Sequence, residues 1–402
     1  MEFSSCITRD HNTLDPNVYL IKQWQTWSGG LHRVLCMQGG DDDFSYAKNS
    51  EAPASAIALC KPLLLNSIQS VKLFFHAKKE AVDSIRIADL GCATGHNTLV
   101  TIDMIVQSLR QKYVTMCGFE PEFEVFFSDL PSNDFNSLFQ SLSSRQFSDQ
   151  QQQYYAAGVP GSFYNRLFAK GKLHIAVSLS ALHWLSKIPE TVLDKRSPAW
   201  NKGRVWIEGS KIEVVEAFAK QAEKDLDDFL RCRKEEIVQG GMLFILMGGR
   251  PGLQPPQNQL EDPDSRAKHP FTITMDQAWQ DLLNEGLIDE ETRDGFNIPA
   301  YMRGIEEVER AIKRCGGFEI KMIEYKRIME EKREEWIKDP VSYGRAKANL
   351  VRATLRPIVQ AHLGPHLSDQ LFNRFQLRVS SDFTLLHKTC FYGVIVVCAI
   401  RI

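Results

Sequence analysis

The sequence predicts an α/β fold with a mostly parallel, doubly wound sheet. Three apolar segments with chemically distinctive ends predict it. Arg86-Ile-Ala-Asp-Leu-Gly-Cys-Ala-Thr-Gly-His-Asn-Thr98 reads as a strand, a glycine turn and a helix start. Phe123 to Asp129 is a second apolar run ending in an acid, and the third begins at Leu173 and runs into His183 and Trp184. Strands alternating with helical periodicity imply crossover connections and a parallel sheet. Ligands of such sheets sit beyond the carboxyl ends of the strands. At 402 residues the chain holds two average domains, or one large α/β domain with an inserted cap.

Hydrophobic content of 43% and charged content of 24% are those of an ordinary soluble globular chain. A net charge of −2 without a long basic run offers no general attraction to nucleic acid, so none is expected as a partner. The nine cysteines are odd in number, never form C-x-x-C, and several lie in apolar segments (Cys60, Cys92, Cys398). That pattern argues for a reducing compartment and against a disulfide scaffold. No apolar run reaches membrane-spanning length, and Met1-Glu-Phe-Ser-Ser-Cys6 lacks a basic-then-apolar signal. A cytoplasmic location with no membrane partner is the expectation.

Taken in order, Met1 to about Leu31 is polar and irregular, broken by Asp15-Pro16 and Gly29-Gly30, and is expected to be a loosely held extension. Asp41 to Asp43 lack the alternate spacing of a calcium loop and read as a solvated turn before a helix start at Ser50. Tyr46 and Ser50, four apart, can share a face toward a ligand. A helix with apolar positions at Ile57, Leu64, Ile68 and Leu73 follows, and then the first strand. Its turn through Gly91 and Gly95 lets a ligand lie against bare main chain. The next helix presents unpaired N–H groups to the same place. The G-x-G-x-x-G of a dinucleotide site is absent. One acid before a short glycine turn suits a smaller cationic ligand, S-adenosylmethionine (SAM), with Asp89 facing its ammonium group. An ordinary strand–turn–helix joint would read the same way on this motif alone.

After a helix from Leu99 to Leu109, Asp129 ends the second strand, placed to accept hydrogen bonds from ribose hydroxyls while Leu130 packs an adenine. Gly158-Val-Pro-Gly-Ser-Phe-Tyr164 reads as a turn-rich connector. At the end of the third strand His183 and Trp184 would project into the crevice, although a single His or Trp is more often packing. A helix from Lys220 to Val238 leads to the strand Met242–Met247, and Gly248 to His269 reads as a mobile Pro/Gly-rich connector. Pro270 to about Leu363 has a helical pattern, with a turn at Asp294-Gly-Phe-Asn-Ile-Pro299 and a solvated charged run at Glu330 to Glu335. His362 and His366 are four apart, but Gly364-Pro365 breaks the helix that a zinc pair needs. Cys390 to Ile400 is a buried strand able to close the sheet.

Several stretches together resemble the plant SABATH methyltransferases, the family of salicylate, jasmonate, indole-acetate and loganate carboxyl methyltransferases and of caffeine-pathway N-methyltransferases. They are Met37-Gln-Gly-Gly with Ser45 to Ser50, Ile87-Ala-Asp-Leu-Gly-Cys with Gly95-His-Asn97, Asp129 to Asn136, Gly158 to Tyr164, Leu182 to Ser186, Asn201-Lys-Gly203 and Phe296 to Pro299. The resemblance covers about residues 35 to 402. It implies a Rossmann-like SAM-dependent methyltransferase core, roughly 55–250 plus 365–402, with a mostly helical cap, mainly 255–364, over the substrate pocket. Residues 1–33 lie outside it. It also implies that Tyr46, Ser50, Asp89, Asn97, Asp129, Leu130, Ser162 and Phe163 hold SAM. Gln38, Ser180, His183 and Trp184 fall on the substrate side, with Tyr301 and Phe391 as further pocket positions, and the Trp184 indole N–H holds a substrate carboxylate. A family magnesium position falls on Asn201, Asp294, the Phe296 carbonyl and Asn297, a set that a structural turn explains nearly as well. Family members often pair as homodimers.

Three departures bear on the substrate. Pro53 stands where carboxylate-methylating members usually carry a Gln, so one hydrogen bond to the carboxylate is missing or comes from elsewhere, such as Gln38 or His183. Ser180 replaces a common Tyr and enlarges the pocket. His96 replaces the usual Pro of the glycine turn. The expected activity is esterification of a small aromatic or terpenoid carboxylic acid, without a general base because a carboxylate is already the nucleophile. Methylation of nitrogen or sulfur in the same pocket is the alternative, and a SAM-binding protein without catalysis the rival of another class.

Overall fold

The computed structural model describes residues 31–72, 84–149, 154–252, 270–329, 332–382 and 391–402. Of the expected connector at Gly248 to His269, residues 248–250 are instead the end of a strand that starts at Ile237, and 253–269 lie outside the described residues, as does nearly all of the N-terminal extension. Leu31, at the extension's end, opens a short 3-10 turn and is buried in the core.

Helix α1 (Glu51–Ser70) precedes β1 (Ser84–Leu90), α2 (His96–Cys117), β2 (Glu122–Asp129), α3 (Phe135–Asp149) and β3 (Tyr155–Pro160). Then come β4 (Leu173–Leu179), α4 (Ile212–Glu236), β5 (Ile237–Arg250), α5 (Pro270–Asn284) and α6 (Glu290–Asp294). The chain ends in β6 (Arg303–Gly304), α7 (Ile305–Cys315), β7 (Phe318–Met329), α8 (Arg333–Lys338), α9 (Pro340–Ser381) and β8 (Phe391–Arg401). The sheet order is β3-β2-β1-β4-β5-β8-β7, with β6 paired to β5. The β3 to β5 ladder is parallel, whereas β8 runs antiparallel to both β5 and β7. The order reverses between β1 and β4, and a crevice opens beyond their carboxyl ends.

Burial explains why β1 reads as a continuous apolar run. Ile85 and Ile87 pack into one apolar layer with α1 and α2, and Ala88 and Leu90 into the opposite layer with α4 and α7. A parallel strand covered on both faces has no polar side to alternate with. Helix α2 stops at Gly118, whose φ of +72° takes the left-handed closing position. A third apolar cluster joins Trp279, Phe296, Tyr343, Phe372 and Phe375 from the helical layer of α5 and α9. Among the described residues no helix is long and apolar enough to cross a membrane.

Two elements differ from expectation. The stretch around Gly158 is an edge strand, paired with β2 from Glu124↔Tyr155 to Asp129↔Pro160. An edge tolerates the Pro that made it look like a turn. Residues 318–329, read within a helical stretch, form β7, which pairs with β8 from Phe318↔Arg401 to Met329↔Phe391. The Lys/Glu-rich sequence of β7 is locally compatible with a helix; the long antiparallel partnership with an apolar strand decides otherwise. The break at Gly364 is as expected: α9 is two helical segments with non-helical φ 77°, ψ 168° at that glycine.

Candidate active site

Two adjoining cavities open at the carboxyl ends of β1 and β4. The first is lined by Tyr46, Asp89, Asn97, Asp129, Leu130, Ser162 and Phe163, so seven of the eight predicted cofactor positions converge there. The eighth, Ser50, stands behind: its hydroxyl accepts from the Asn97 amide at 3.1 Å and aims that side chain. The glycine turn is tied down, with Gly91 N–H and Cys92 N–H both donating to the Ser128 carbonyl. Asp129 accepts from the N–H groups of Ala93 at 2.8 Å and Leu130 at 2.7 Å, which leaves further lone pairs for hydroxyl groups.

Asp89 is the electrostatic centre of this cavity. The Thr98 hydroxyl donates to one carboxylate oxygen at 2.5 Å, while the other is buried with no partner among the described residues. Burial pushes the Asp89 carboxyl up to about 7, with Asp129 adding repulsion, and burial raises Asp129 to about 6. A buried carboxylate oxygen without a donor fits a cationic ligand, and the bare turn at Gly91 fits one lying flat against it. The site therefore fits SAM, whose ammonium group would supply the missing partner.

A pH dependence follows. The raised Asp89 pKa means that the folded state holds a proton the unfolded chain has lost, so this group's contribution to stability falls as pH rises from about 4 to about 7. Ammonium binding favours the carboxylate, so cofactor affinity should climb as pH approaches 7. It should fall again above the ligand's own α-amino pKa of about 7.7–8.0. Calorimetric titration between pH 5.5 and 9 checks this; an affinity that is flat below pH 7 contradicts it.

The second cavity has a volume of about 450 Å³ and a largely apolar wall that includes Trp206, Met275, Ile298, Ile328, Trp336 and Leu355. Met37, Tyr46, Pro53, Ser180 and Trp184 line both cavities and so form the neck between them. The loop at the end of β4 carries Ser180 and Trp184 of the neck and is pinned along its length. Leu185 N–H donates to the Pro299 carbonyl, Tyr301 N–H to the His183 carbonyl and the buried Arg303 guanidinium to the Leu182 carbonyl. Tyr164 O–H donates to the Trp184 carbonyl, and Asp225 accepts both the N–H and the hydroxyl of Ser186. Gly248 N–H donates to His183 Nδ1 at 3.4 Å, which leaves the ring proton on Nε2. Burial, with Arg303 nearby, lowers the His183 pKa to about 4, so the ring is a neutral N–H donor at physiological pH.

Not every substrate-side prediction reaches the cavity. Gln38 lines neither; its main chain bonds Ala353 and Tyr46, and its neighbour Met37 occupies the neck. Tyr301 is buried behind the wall, donating to Glu307 at 2.9 Å and accepting from Arg250, which does line the larger cavity. Phe391 begins β8, and its side chain lies outside what is described. Arg250 was missed, although its place at the end of an apolar strand was a usable signal.

The expected magnesium set is brought together, with partners already on its oxygens. Asn201 donates to Asn297 Oδ1 at 2.6 Å, and its own carbonyl oxygen accepts from Ser210 at 2.8 Å. Asp294 is paired with Arg293 at 2.9 Å and accepts from Gly203 N–H. Phe296 is buried and stacks on Trp279 at 4.8 Å between ring centroids. Magnesium wants several oxygens and retained water; here each amide oxygen accepts one hydrogen bond and a guanidinium pairs with the one carboxylate, so an ion would compete with these partners. These contacts knit the 201–210 loop to the 294–297 turn.

The family model described as SAM dependent carboxyl methyltransferase matches residues 32–401. Gibberellic acid methyltransferase 2 of Arabidopsis thaliana is 60% identical over 386 residues, covering 95% of this chain and 97% of that one. Gibberellic acid methyltransferase 1 of the same plant is 55% identical, covering 93% and 99%. Arabidopsis indole-3-acetate O-methyltransferase 1 is 37% identical, covering 87% and 91%. A solved loganic acid methyltransferase with SAH superposes at a TM-score of 0.80 with 32% identity, covering 91% of this chain and 98% of that chain.

Proposed function

We propose, on the premise that the chain belongs to the SAM-dependent carboxyl methyltransferase family, that its substrate is a rigid polycyclic terpenoid acid of the gibberellin class. The observation that carries this is the step in identity: 60% and 55% to two gibberellic acid methyltransferases against 37% to an indole-acetate enzyme. A cavity of about 450 Å³ with a broad apolar wall and with Ser180, His183 and Trp184 in its lining suits one carboxylate on a bulky hydrocarbon frame.

SAM, when bound, supplies an electrophilic methyl group on a sulfonium. The chain's own task is to hold one carboxylate oxygen in line with that methyl at the neck. Because the carboxylate is already ionised, no residue needs to take a proton, and the neutral His183 orients by donating from Nε2. The pinned loop carrying His183 and Trp184 keeps its donors in place before substrate arrives, which is where positional catalysis originates. The apolar wall excludes water and strengthens those hydrogen bonds.

The test is purified enzyme with methyl-labelled SAM against gibberellin, indole-acetate, loganate and jasmonate-type acids. Base-labile label on the gibberellins, with kcat/KM about tenfold or more above the other acids, is the expected result. Preference for indole-acetate or loganate would overturn the substrate class while keeping the chemistry.

A further inference from the structure

Ser180 is one of two non-glycine residues with positive φ among the described residues, at +61°; the other, Ala93 at +51°, lies in the cofactor turn. Serine does not adopt the left-handed region readily, and such strain persists where the surroundings impose it. Here they do. Ser180 N–H is held by the Leu246 carbonyl at 2.7 Å, and the following Ala181 packs its Cβ against Gly91 of the cofactor turn. The twist leaves Ser180 lining both cavities. Its hydroxyl makes no hydrogen bond among the described residues. Pro53, also at the neck, offers no donor.

We propose that the Ser180 hydroxyl is a donor to the substrate carboxylate, working beside His183 Nε2–H and the Trp184 indole and supplying the hydrogen bond that Pro53 cannot. This rests on the reading of the enzyme as a carboxyl methyltransferase. The left-handed backbone is what turns the hydroxyl toward the neck, where one carboxylate oxygen accepts from it and the other is left to attack. In the transfer a carbon–oxygen bond forms as the methyl–sulfur bond breaks. The sulfur keeps the electron pair, so the hydroxyl donates a hydrogen bond and gives up no proton.

The decisive variant is Ser180→Gly, because glycine takes φ of +61° without strain while losing the CH2OH side chain. With the preferred acid, kcat/KM should fall about 10–100-fold, the loss expected for one hydrogen bond to a charged group. SAH affinity should stay within twofold and thermal stability should hold or rise. Acid binding to the SAH-loaded protein, measured by calorimetry, should weaken in parallel. Ser180→Ala should lose as much activity and some stability. A Ser180→Gly enzyme as active as the wild type, with unchanged acid binding, overturns the role of Ser180 and leaves the carboxyl-transfer reading standing. A wild-type enzyme that neither methylates nor binds any acid overturns both.

Discussion

Gly91→Ala is expected to lower SAM affinity roughly 100-fold. Two costs coincide at this position. The backbone sits at φ +89°, and a Cβ there would lie 2.4 Å from the Ala181 side chain and 3.4 Å from the Phe163 ring. Relief by moving the turn is blocked, because Gly91 and Cys92 are both anchored to the Ser128 carbonyl. Relief by moving Ala181 shifts Ser180 and the neck. The other glycine of the turn is the control. A Cβ on Gly95 would meet Ala47 at an ordinary 3.6 Å, and its φ of −102° is open to any residue. Gly95→Ala should therefore bind SAH within a few-fold of wild type. Calorimetry on both variants checks the pair; equal affinities would mean that the turn is not the cofactor's bed.

Glu236→Ala should destabilise the protein by about 3–5 kcal/mol, because it strands a buried guanidinium. The Arg233 and Glu236 side chains are fully buried and 2.7 Å apart at the end of α4. Arg233 donates to the carbonyls of Phe163 and Asn165, and Glu236 accepts from the N–H groups of Leu167 and Phe168. The pair thus clamps the loop that delivers Ser162 and Phe163 to the cofactor cavity, so SAH affinity of the remaining folded protein should also drop. The double variant Arg233→Met/Glu236→Leu leaves no stranded charge and should recover much of the stability while still losing affinity. Urea unfolding paired with SAH titration separates the two effects. A double variant with wild-type affinity would show the clamp to be structural only.

The cofactor half of the site was legible in the sequence because its residues are local. Asp89 and Asp129 each end an apolar strand, the glycine turn is contiguous, and a parallel sheet brings strand ends together wherever the intervening helices lie. His183 and Trp184 were legible for the same reason. Tyr301 was misplaced because proximity to a pocket does not fix the side on which a side chain falls; Arg250 reaches the cavity and Tyr301 braces it from behind. The partners of the magnesium set were not legible: nothing along the chain reveals that Arg293 and Ser210 bond to those oxygens.

What the sequence determined by itself was the alternation of apolar strands with helices, the acids at two strand ends and the breaks at glycine and proline, since each depends on neighbours within a few residues. The tertiary structure alone decided that 318–329 is a strand and that Gly91 and Gly95 are unlike. It also decided that Ser180 is twisted into the neck and that α4 clamps the 162–168 loop. In each of these the deciding atom belongs to a residue distant along the chain: a pairing partner in β8, a methyl group on Ala181, a carbonyl on Leu246, a guanidinium on Arg233. Such contacts form only when separate elements pack together, and packing has no local signature in the order of residues.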